Sequence, residues 1–379
     1  MEATAGKRYG MILIFEDPNY AKSVWCQSLV RGLVSELKLK RAAFRFVSSA
    51  QELSSGAREG DFVYIIGSGS GWITASLALV ERAGAYPILL SNQTHGQLSI
   101  NCSMVCSDTV GSMKYVIDQL RRLGKQRVAM YGVNPRSVGD ASRKSSFLLA
   151  THAPDSDIFF NDGSLENCFQ SFFEQSRSYD AVICANDFAA ISLVRKLSER
   201  APEELARLSI IGCAETRLTK FYEQYIVSIR VNFDEYGKAA VTLLDTLRKN
   251  PFLSNIVMSI RWDISALHEL PKPAPAQSAA AGTCFPQAAD AFYTDGELTE
   301  MLCMEQLLSE CDEMDNKILR LALAGQAYED IAEHCFVNVS TVKYRMRKMI
   351  GICQAENRAE LLRLVEKYLP QLTQGGECV

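Results

Sequence analysis

The stretch Tyr9-Gly10-Met11-Ile12-Leu13-Ile14-Phe15, followed by Glu16-Asp17-Pro18, determines the fold class that the sequence predicts. Its apolar residues are continuous rather than alternating, which is typical of a strand buried on both faces of a parallel sheet. Further short apolar runs follow at 43–47, 61–67 and 86–90, and helical spacing occurs at 20–38 and 72–83. This succession of strands and helices predicts an α/β fold with a mostly parallel sheet.

The same pattern restarts near residue 108 and continues to residue 261. Strands are predicted at 127–131, 158–160, 181–184, 209–211, 226–231 and 256–261, and helices at 108–123, 142–150, 168–176, 189–198 and 236–248. Two α/β lobes of similar size predict a cleft between them, in which a small ligand would lie at the carboxyl ends of the strands.

The composition changes after the second lobe, at Pro271-Lys272-Pro273-Ala274-Pro275-Ala276. A segment rich in Pro, Ala and Ser cannot form a packed core, so we expect a flexible linker. The sequence therefore predicts three parts, which are a two-lobed domain at 1–268, a linker at 269–297 and a small all-α domain at 298–372.

The all-α domain is organised around Asn338-Val339-Ser340-Thr341-Val342-Lys343-Tyr344-Arg345-Met346-Arg347-Lys348-Met349-Ile350. The apolar stripe of one helix is formed by Val342, Met346, Met349 and Ile350. Asn338 is expected to cap this helix with its side-chain oxygen. The cations and Tyr344 lie on the other faces, an arrangement that suits a DNA major groove.

The segments on either side complete a helix-turn-helix pattern. A short helix at 328–335 and a turn of about three residues precede the basic helix. Other helices are predicted at 298–308, 312–323 and 357–369. Ala332 is small enough to let the two central helices approach closely.

Several motifs in this domain occur in a recognisable order. They are Gly325, Asp330-Ile331-Ala332, Thr341-Val342-Lys343 and Arg358-Ala359-Glu360-Leu361. Residues 312–369 thereby resemble the LuxR/FixJ-type DNA-binding domain. The resemblance implies that Lys343, Tyr344 and Arg347 face DNA bases, and the residues expected nearer the DNA backbone are Thr341, Arg345 and Lys348. Phe336 replaces the family's turn glycine and Arg345 its usual histidine; Tyr344-Arg345-Met346 is also similar to PucR-type activators, so the subfamily stays open.

The two lobes contain landmarks of another family. Among them are Arg143-x-x-x-Phe147, Ala185-Asn186-Asp187, Ile210-Ile211-Gly212 and Asp234-x-x-Gly237. Residues 8–265 resemble the effector-binding domain of the lactose/galactose-repressor family, which is related to periplasmic sugar-binding proteins. The resemblance implies an effector site formed by Asp17, Asn19, Tyr20, Ser68, Trp72, Arg143, Asn186, Asp187 and Glu215.

The effector itself stays open. Ala214 stands where the family often has an effector-binding carboxylate and cannot bind a sugar hydroxyl, although the adjacent Glu215 is a candidate to substitute for it. A sugar is therefore in question as the ligand, and an aromatic, amino-acid-like or nucleobase-like ligand stays open. Structural alternatives also stay open: a salt bridge for Arg143, a helix cap for Asn186-Asp187 and core packing for Trp72.

The composition is that of an ordinary globular protein, with 47% hydrophobic residues and a net charge of −4. No apolar run is long enough to span a membrane and no signal core is present near Met1, so a cytoplasmic location is expected. The 12 cysteines show no disulfide framework and the 4 histidines are scattered. We expect reduced thiols, no metal site and no cofactor.

An enzyme is not expected. Gly67-Ser68-Gly69-Ser70-Gly71 follows a strand, but its spacing departs from the dinucleotide-binding fingerprint and no acidic partner follows. Glu16-Asp17 is similar to the acidic pair of a phosphorylated receiver, but Gly67 stands where the phosphorylated aspartate is needed. No nucleophile motif of a hydrolase is present.

The sequence thus predicts a transcriptional regulator that binds double-stranded DNA, responds to a small-molecule effector and forms a homodimer on an inverted repeat. The alternative is a non-catalytic ligand-binding or scaffold protein whose terminal helices bind a protein partner.

Overall fold

The computed structural model describes residues 11–92, 102–214, 216–250, 252–268, 295–370 and 372. The strands in these ranges are β1 (Ile12–Glu16), β2 (Phe44–Val47), β3 (Phe62–Ile66), β4 (Tyr86–Leu90), β5 (Ser103–Ser107), β6 (Val128–Val133), β7 (Ile158–Phe160), β8 (Ala181–Cys184), β9 (Ser209–Cys213), β10 (Ile226–Ile229) and β11 (Val257–Ile260). The helices of the first part are α1 (Val24–Leu39), α2 (Ala50–Gly56), α3 (Ser70–Arg82), α4 (Thr109–Arg122), α5 (Val138–Thr151), α6 (Leu165–Phe173), α7 (Asp187–Arg200), α8 (Pro202–Arg207) and α9 (Phe233–Lys249). The terminal helices are α10 (Gly296–Glu310), α11 (Glu313–Leu323), α12 (Tyr328–Cys335), α13 (Val339–Ile352) and α14 (Arg358–Tyr368).

The strands form two sheets that alternate with helices, which confirms the predicted α/β fold. The first sheet has six strands in the order β11-β5-β4-β3-β1-β2, and the second has five in the order β10-β9-β8-β6-β7. Neighbouring strands of the first sheet run parallel, with Ile12 opposite both Phe44 and Phe62. The pairs β6–β7 and β8–β9 are parallel as well.

The central strand β1 is buried as its continuous apolar run predicts. Ile12, Leu13 and Ile14 are fully buried, although successive side chains of a strand point to opposite faces of the sheet. Leu13 and Phe15 belong to an apolar core with residues of β3 and α3. The sheet is therefore covered on both faces.

Strand β5 of the first sheet and the short helix α2 were not predicted from the sequence. Strand β5, with the sequence Ser-Met-Val-Cys-Ser, lies between β4 and β11. Its two terminal serines interrupt the apolar pattern, and one of the two strands that flank it, β11, is distant along the chain. The short helix α2 buries only Leu53 and so lacks the apolar stripe that identifies longer helices.

The chain divides into two compact units. One contains residues 1–160 and 229–268, and the other contains residues 161–228 and 269–379. The terminal helices thus belong to the same unit as β8 and β9. Most of the predicted linker, 269–294, lies outside the described residues, whereas Asp295 caps α10 and that helix begins at Gly296. The domain boundaries stay a prediction.

Two further findings concern the described residues alone. None of their helices is both long enough and apolar enough to cross a membrane. Their cysteines are free thiols, and no group of three or more His, Cys, Asp or Glu side chains among them is placed to hold a metal ion.

Candidate functional site

The first predicted effector residues lie at the carboxyl end of β1. Asp17 is buried directly after the strand, and its Oδ1 accepts a hydrogen bond from the backbone N–H of Asn19 at 3.1 Å. Asn19 is exposed, whereas Tyr20 is buried with its ring 6.0 Å from that of Trp25. Of these three side chains, Asn19 is the one that solvent reaches most readily.

The glycine-rich turn after β3 is explained by close packing. A Cβ on Gly67 would lie 2.8 Å from the Trp72 ring and 2.9 Å from Cβ of Asp17, so a side chain there would collide. The Trp72 ring in turn lies 4.9 Å from that of Phe15 and packs against the core. Ser68 is half-buried, with its Oγ 3.1 Å from Oγ of Ser137.

Arg143 forms a local ion pair. Its Nη1 donates to Oδ1 of Asp140 at 2.6 Å, and both side chains are largely shielded from solvent. Asp140 also accepts the backbone N–H of Asn134 at 2.9 Å, while burial raises the pKa of its carboxyl group. The Nε of Arg143 is buried without a hydrogen-bond partner among the described residues. The ion pair thus orients the guanidinium and leaves one donor for a further group.

Asn186 and Asp187 begin helix α7. The Asn186 Oδ1 accepts the backbone N–H of Ala189 at 2.9 Å, which is the capping role that remained open from the sequence. Asp187 is fully buried and accepts from Thr216 N–H, Thr219 Oγ1 and Ser228 Oγ at 2.6–2.7 Å. Burial raises the pKa of Asp187 although these bonds oppose the shift. Its internal role is clear, and effector contact by either residue stays a prediction.

The loop after β9 is bound by Glu305 of α10 as well as by Asp187 of α7. Ala214 adopts φ 134°, a backbone region that favours glycine, and Glu215 lies outside the described residues. Beyond it, Glu305 of α10 accepts the backbone N–H of Arg217 at 2.9 Å and that of Leu218 at 2.7 Å. Glu305 is buried, and burial raises the pKa of its carboxyl group. Consecutive N–H groups of one loop are therefore bound by carboxylates from α7 and α10.

The terminal helices expose the predicted basic face. Val342, Met346 and Met349 of α13 are buried, as the apolar stripe predicts. Lys343, Tyr344 and Arg347 are exposed on the other side, Tyr344 to 71%. Thr341 is half-buried in the first turn. The helix therefore has one face anchored and one face open.

Two cations of α13 are tied to the start of α11. Arg345 Nη1 donates to Asp315 at 2.7 Å and to Asp312 at 2.9 Å, and Lys348 Nζ donates to the Glu310 carbonyl at 2.9 Å. The Asp315 side chain is 0% exposed and that of Arg345 is 26% exposed. Hydrogen bonds from Arg345 lower the pKa of Asp312. These contacts within the protein give both cations a structural role. Their contact with DNA phosphates stays a prediction.

The turn between α12 and α13 differs from the expected geometry. Asn338 is the N-cap residue of α13, but its side chain makes no capping hydrogen bond, which corrects the predicted cap. Only its backbone carbonyl contributes, accepting from Thr341 N–H at 2.9 Å. Phe336 ends α12 at φ 56° with a side chain that is 93% exposed. A bulky residue thus occupies a left-handed position that favours glycine.

Sequence reasoning missed the acidic partners. Asp140 stands three residues before Arg143, a spacing that predicts a helical ion pair and was detectable. Glu305 could not be found in this way, because its partners Arg217 and Leu218 lie far away along the chain. The sequence shows that Phe336 replaces the turn glycine of the similar family. It does not show that the Phe336 side chain is exposed.

Solved structures with a similar fold include transcription regulators. The CelR–cellobiose complex has a TM-score of 0.55 and 14% identity, over 67% of this chain and 82% of that chain. The Lac repressor bound to ONPG has a TM-score of 0.52 and 17% identity, over 68% and 81%. A LacI family regulator from Enterococcus faecium with bound ribose has a TM-score of 0.52 and 18% identity, over 70% and 100%.

These likenesses support the predicted two-lobed α/β fold. No protein-family model matches the sequence, and no curated protein resembles it significantly. At identities of 14–18% the comparisons concern the fold alone.

Proposed function

We propose that this protein is a DNA-binding transcriptional regulator that responds to a small molecule. The observation that supports DNA binding most directly is the open face of α13, where Lys343, Tyr344 and Arg347 are exposed beside a buried apolar stripe. A helix of this kind can enter the major groove, where arginine and lysine read guanine edges. Thr341, Arg345 and Lys348 are proposed to lie nearer the DNA backbone.

The effector is proposed to bind at the carboxyl ends of the strands in the α/β part. The fold is shared with regulators solved with cellobiose, ONPG and ribose. The Nε of the largely shielded Arg143 has no hydrogen-bond partner among the described residues, and it is a donor suited to a polar group of a ligand. Effector contacts by the other predicted residues stay proposals: Asn19 is exposed, whereas Ser68 and Asn186 are partly exposed.

A homodimer is the proposed DNA-binding form. The chain has a net charge of −4, so the affinity of a single basic helix for DNA is modest. Two copies related by a two-fold axis would bind two half-sites of an inverted repeat, and the gain would come from the second contact. Sedimentation with and without DNA measures this stoichiometry.

The test is salt-dependent binding of the full chain to genomic DNA fragments, alongside Arg347→Glu. The intact protein is expected to enrich a narrow set of fragments, and the charge reversal is expected to weaken their binding at least about tenfold. Loss of a phosphate contact, such as the one proposed for Lys348, would in addition make the dependence of affinity on salt shallower by about 0.9 in log–log slope. Arg122→Glu, the same change at an exposed position of α4, is the matched control.

The rival function is a scaffold whose terminal helices bind a protein. It predicts that Arg347→Glu and Arg122→Glu behave alike towards DNA, because neither residue would contact it. Equal binding by all the variants, without enrichment of particular fragments, would reject the regulator and favour that rival.

A further inference from the structure

The loop at 216–219 is bound by two acidic side chains that come from different helices. Thr216 N–H donates to Asp187 of α7 at 2.7 Å, whereas the next two N–H groups donate to Glu305 of α10. The Arg217 side chain also donates to the Leu308 carbonyl of α10 at 2.8 Å. The position of α10 is therefore set in part by the backbone of this loop.

Helix α10 is fixed along its length to the same α/β elements. Near its start, the Asp295 carboxylate accepts Leu165 N–H at 2.5 Å, and Glu297 accepts from Arg195 at 3.2 Å and Lys196 at 2.6 Å. Charge-assisted bonds of this kind are stronger and more directional than neutral ones. Because Glu305 acts two turns further on, the helix is held at both ends.

The opposite side of α10 contacts the terminal bundle. Glu300 accepts from Tyr368 Oη at 2.7 Å and is paired with Lys367, both of α14. The Tyr368 carbonyl accepts in turn from Tyr222 Oη at 3.2 Å, next to the loop. Lys348 of α13 donates to the carbonyl of Glu310, the last residue of α10. One helix thus contacts the loop on one side and the basic helix on the other.

We infer that the loop 216–219 together with Glu305 is the switch that links effector binding to the DNA-binding helices. This inference rests on the proposed function and adds its regulation. An effector that displaced this loop would shift the N–H groups of Arg217 and Leu218 relative to Glu305. The helix α10 would follow, and with it the contacts of Glu300 and Glu310 to α14 and α13.

Two features make this loop suitable for switching. Ala214, two residues before the loop, is held at φ 134°. The backbone is strained at this residue, and a different conformation would relieve that strain. The two bonds to Glu305 depend steeply on distance and angle, so a small displacement of the loop removes them. Typical allosteric coupling changes affinity by about five- to 150-fold.

The reciprocal effect can be measured without knowing the effector. If the loop and the DNA site are coupled, DNA binding must alter the loop as much as the loop alters DNA binding. Hydrogen–deuterium exchange of the full chain, resolved to single amides, reads the N–H groups of Thr216, Arg217 and Leu218 directly. The probe is a DNA fragment enriched by the wild-type chain.

The variants are Glu305→Gln and the matched control Glu310→Gln, which removes the same charge from an exposed position of the same helix. Without DNA, Glu305→Gln is expected to exchange roughly tenfold faster within the pair Arg217 and Leu218, because one of the two acceptor oxygens becomes an NH2 donor and the negative charge is lost, while Thr216 keeps Asp187. Added DNA is expected to change loop exchange in wild type and Glu310→Gln but not in Glu305→Gln.

Each outcome bears on a separate claim. DNA binding without any change at 216–219, or an equal change in Glu305→Gln, would overturn the switch and leave the regulator intact. Absence of DNA binding by the wild-type chain would overturn the proposed function and the switch with it. If Glu305→Gln fails to fold, Arg217→Ala is the second variant. It replaces an exposed residue and removes the hydrogen bond to the Leu308 carbonyl, so the change in loop exchange on DNA binding must also be smaller.

Discussion

Two charged regions of the same compact unit use their charges in opposite ways. Around the loop 216–219, Asp187 and Glu305 are buried and bound by backbone and hydroxyl donors. On α13, Lys343 and Arg347 are exposed, and the Tyr328 ring, 5.9 Å from Lys343 Nζ, is the nearest contact described for them. Charge in the first region holds the protein together, whereas charge in the second is available to a partner.

The difference separates paired from exposed cations within a single helix. Arg345 belongs to α13 but has the environment of the first region, since it faces the buried Asp315. Arg347 lies two residues later and faces solvent. Residue type alone therefore does not identify a DNA contact, and the acidic neighbours of each cation decide its role.

The largest expected effect tests the buried region. Asp187→Ala removes the acceptor of three donors and leaves them buried, which is expected to lower the free energy of unfolding by about 3 kcal/mol. Urea unfolding measures it. Glu203→Ala, at an exposed position of α8, is expected to change stability by less than about 0.5 kcal/mol. Equal effects of the two substitutions would contradict a structural role for Asp187.

The next effect separates the two arginines of α13. Arg345→Met leaves the fully buried Asp315 without its main partner and is expected to lower the free energy of unfolding by about 2 kcal/mol. Arg347→Met is expected to leave stability unchanged and to weaken DNA binding. The pair is measured by urea unfolding and by DNA affinity of the folded variants. Unchanged stability with lost DNA affinity in Arg345→Met would mean that Arg345 acts only at the DNA backbone and does not stabilise the fold through Asp315.

The same comparison shows what could be predicted from the sequence. The regular apolar spacing of the terminal helices was sufficient to locate them, and α12 spans the predicted residues 328–335. The two-sheet α/β fold also followed from local patterns. Local spacing determines which face of an element is buried, so elements of this kind are predictable.

The partners of the candidate site residues were not predictable. Glu305 meets Leu218 and Arg345 meets Asp312 only after distant segments have packed together. For Asn338 the sequence predicted a contact that does not form, since this residue is suited to capping but its side chain makes no capping hydrogen bond. A single sequence contains the residue types of a site, but the pairing of their charges depends on tertiary structure.

A smaller effect concerns the turn before α13. Phe336→Gly places a glycine at φ 56°, where a side chain is unfavourable, and removes no buried contact. Stability is expected to rise by about 1 kcal/mol, to be measured by thermal unfolding against Phe336→Ala, which keeps the backbone strain. If glycine gave no gain over alanine, the left-handed conformation would not be a source of strain.

The smallest expected effect is a pH dependence of the buried region. Burial raises the pKa of Glu305, so the folded chain binds more protons than the unfolded chain between about pH 4.3, the ordinary value for glutamate, and the higher folded value. The contribution of Glu305 to the free energy of unfolding is therefore complete below this window and declines as pH rises through it. Asp187 and Arg217 face the same loop and remain in both proteins, so the difference between wild type and Glu305→Gln isolates this one group. That difference, measured by urea unfolding at several pH values, is expected to shrink towards higher pH. A constant difference would mean that Glu305 titrates alike in the folded and unfolded chains.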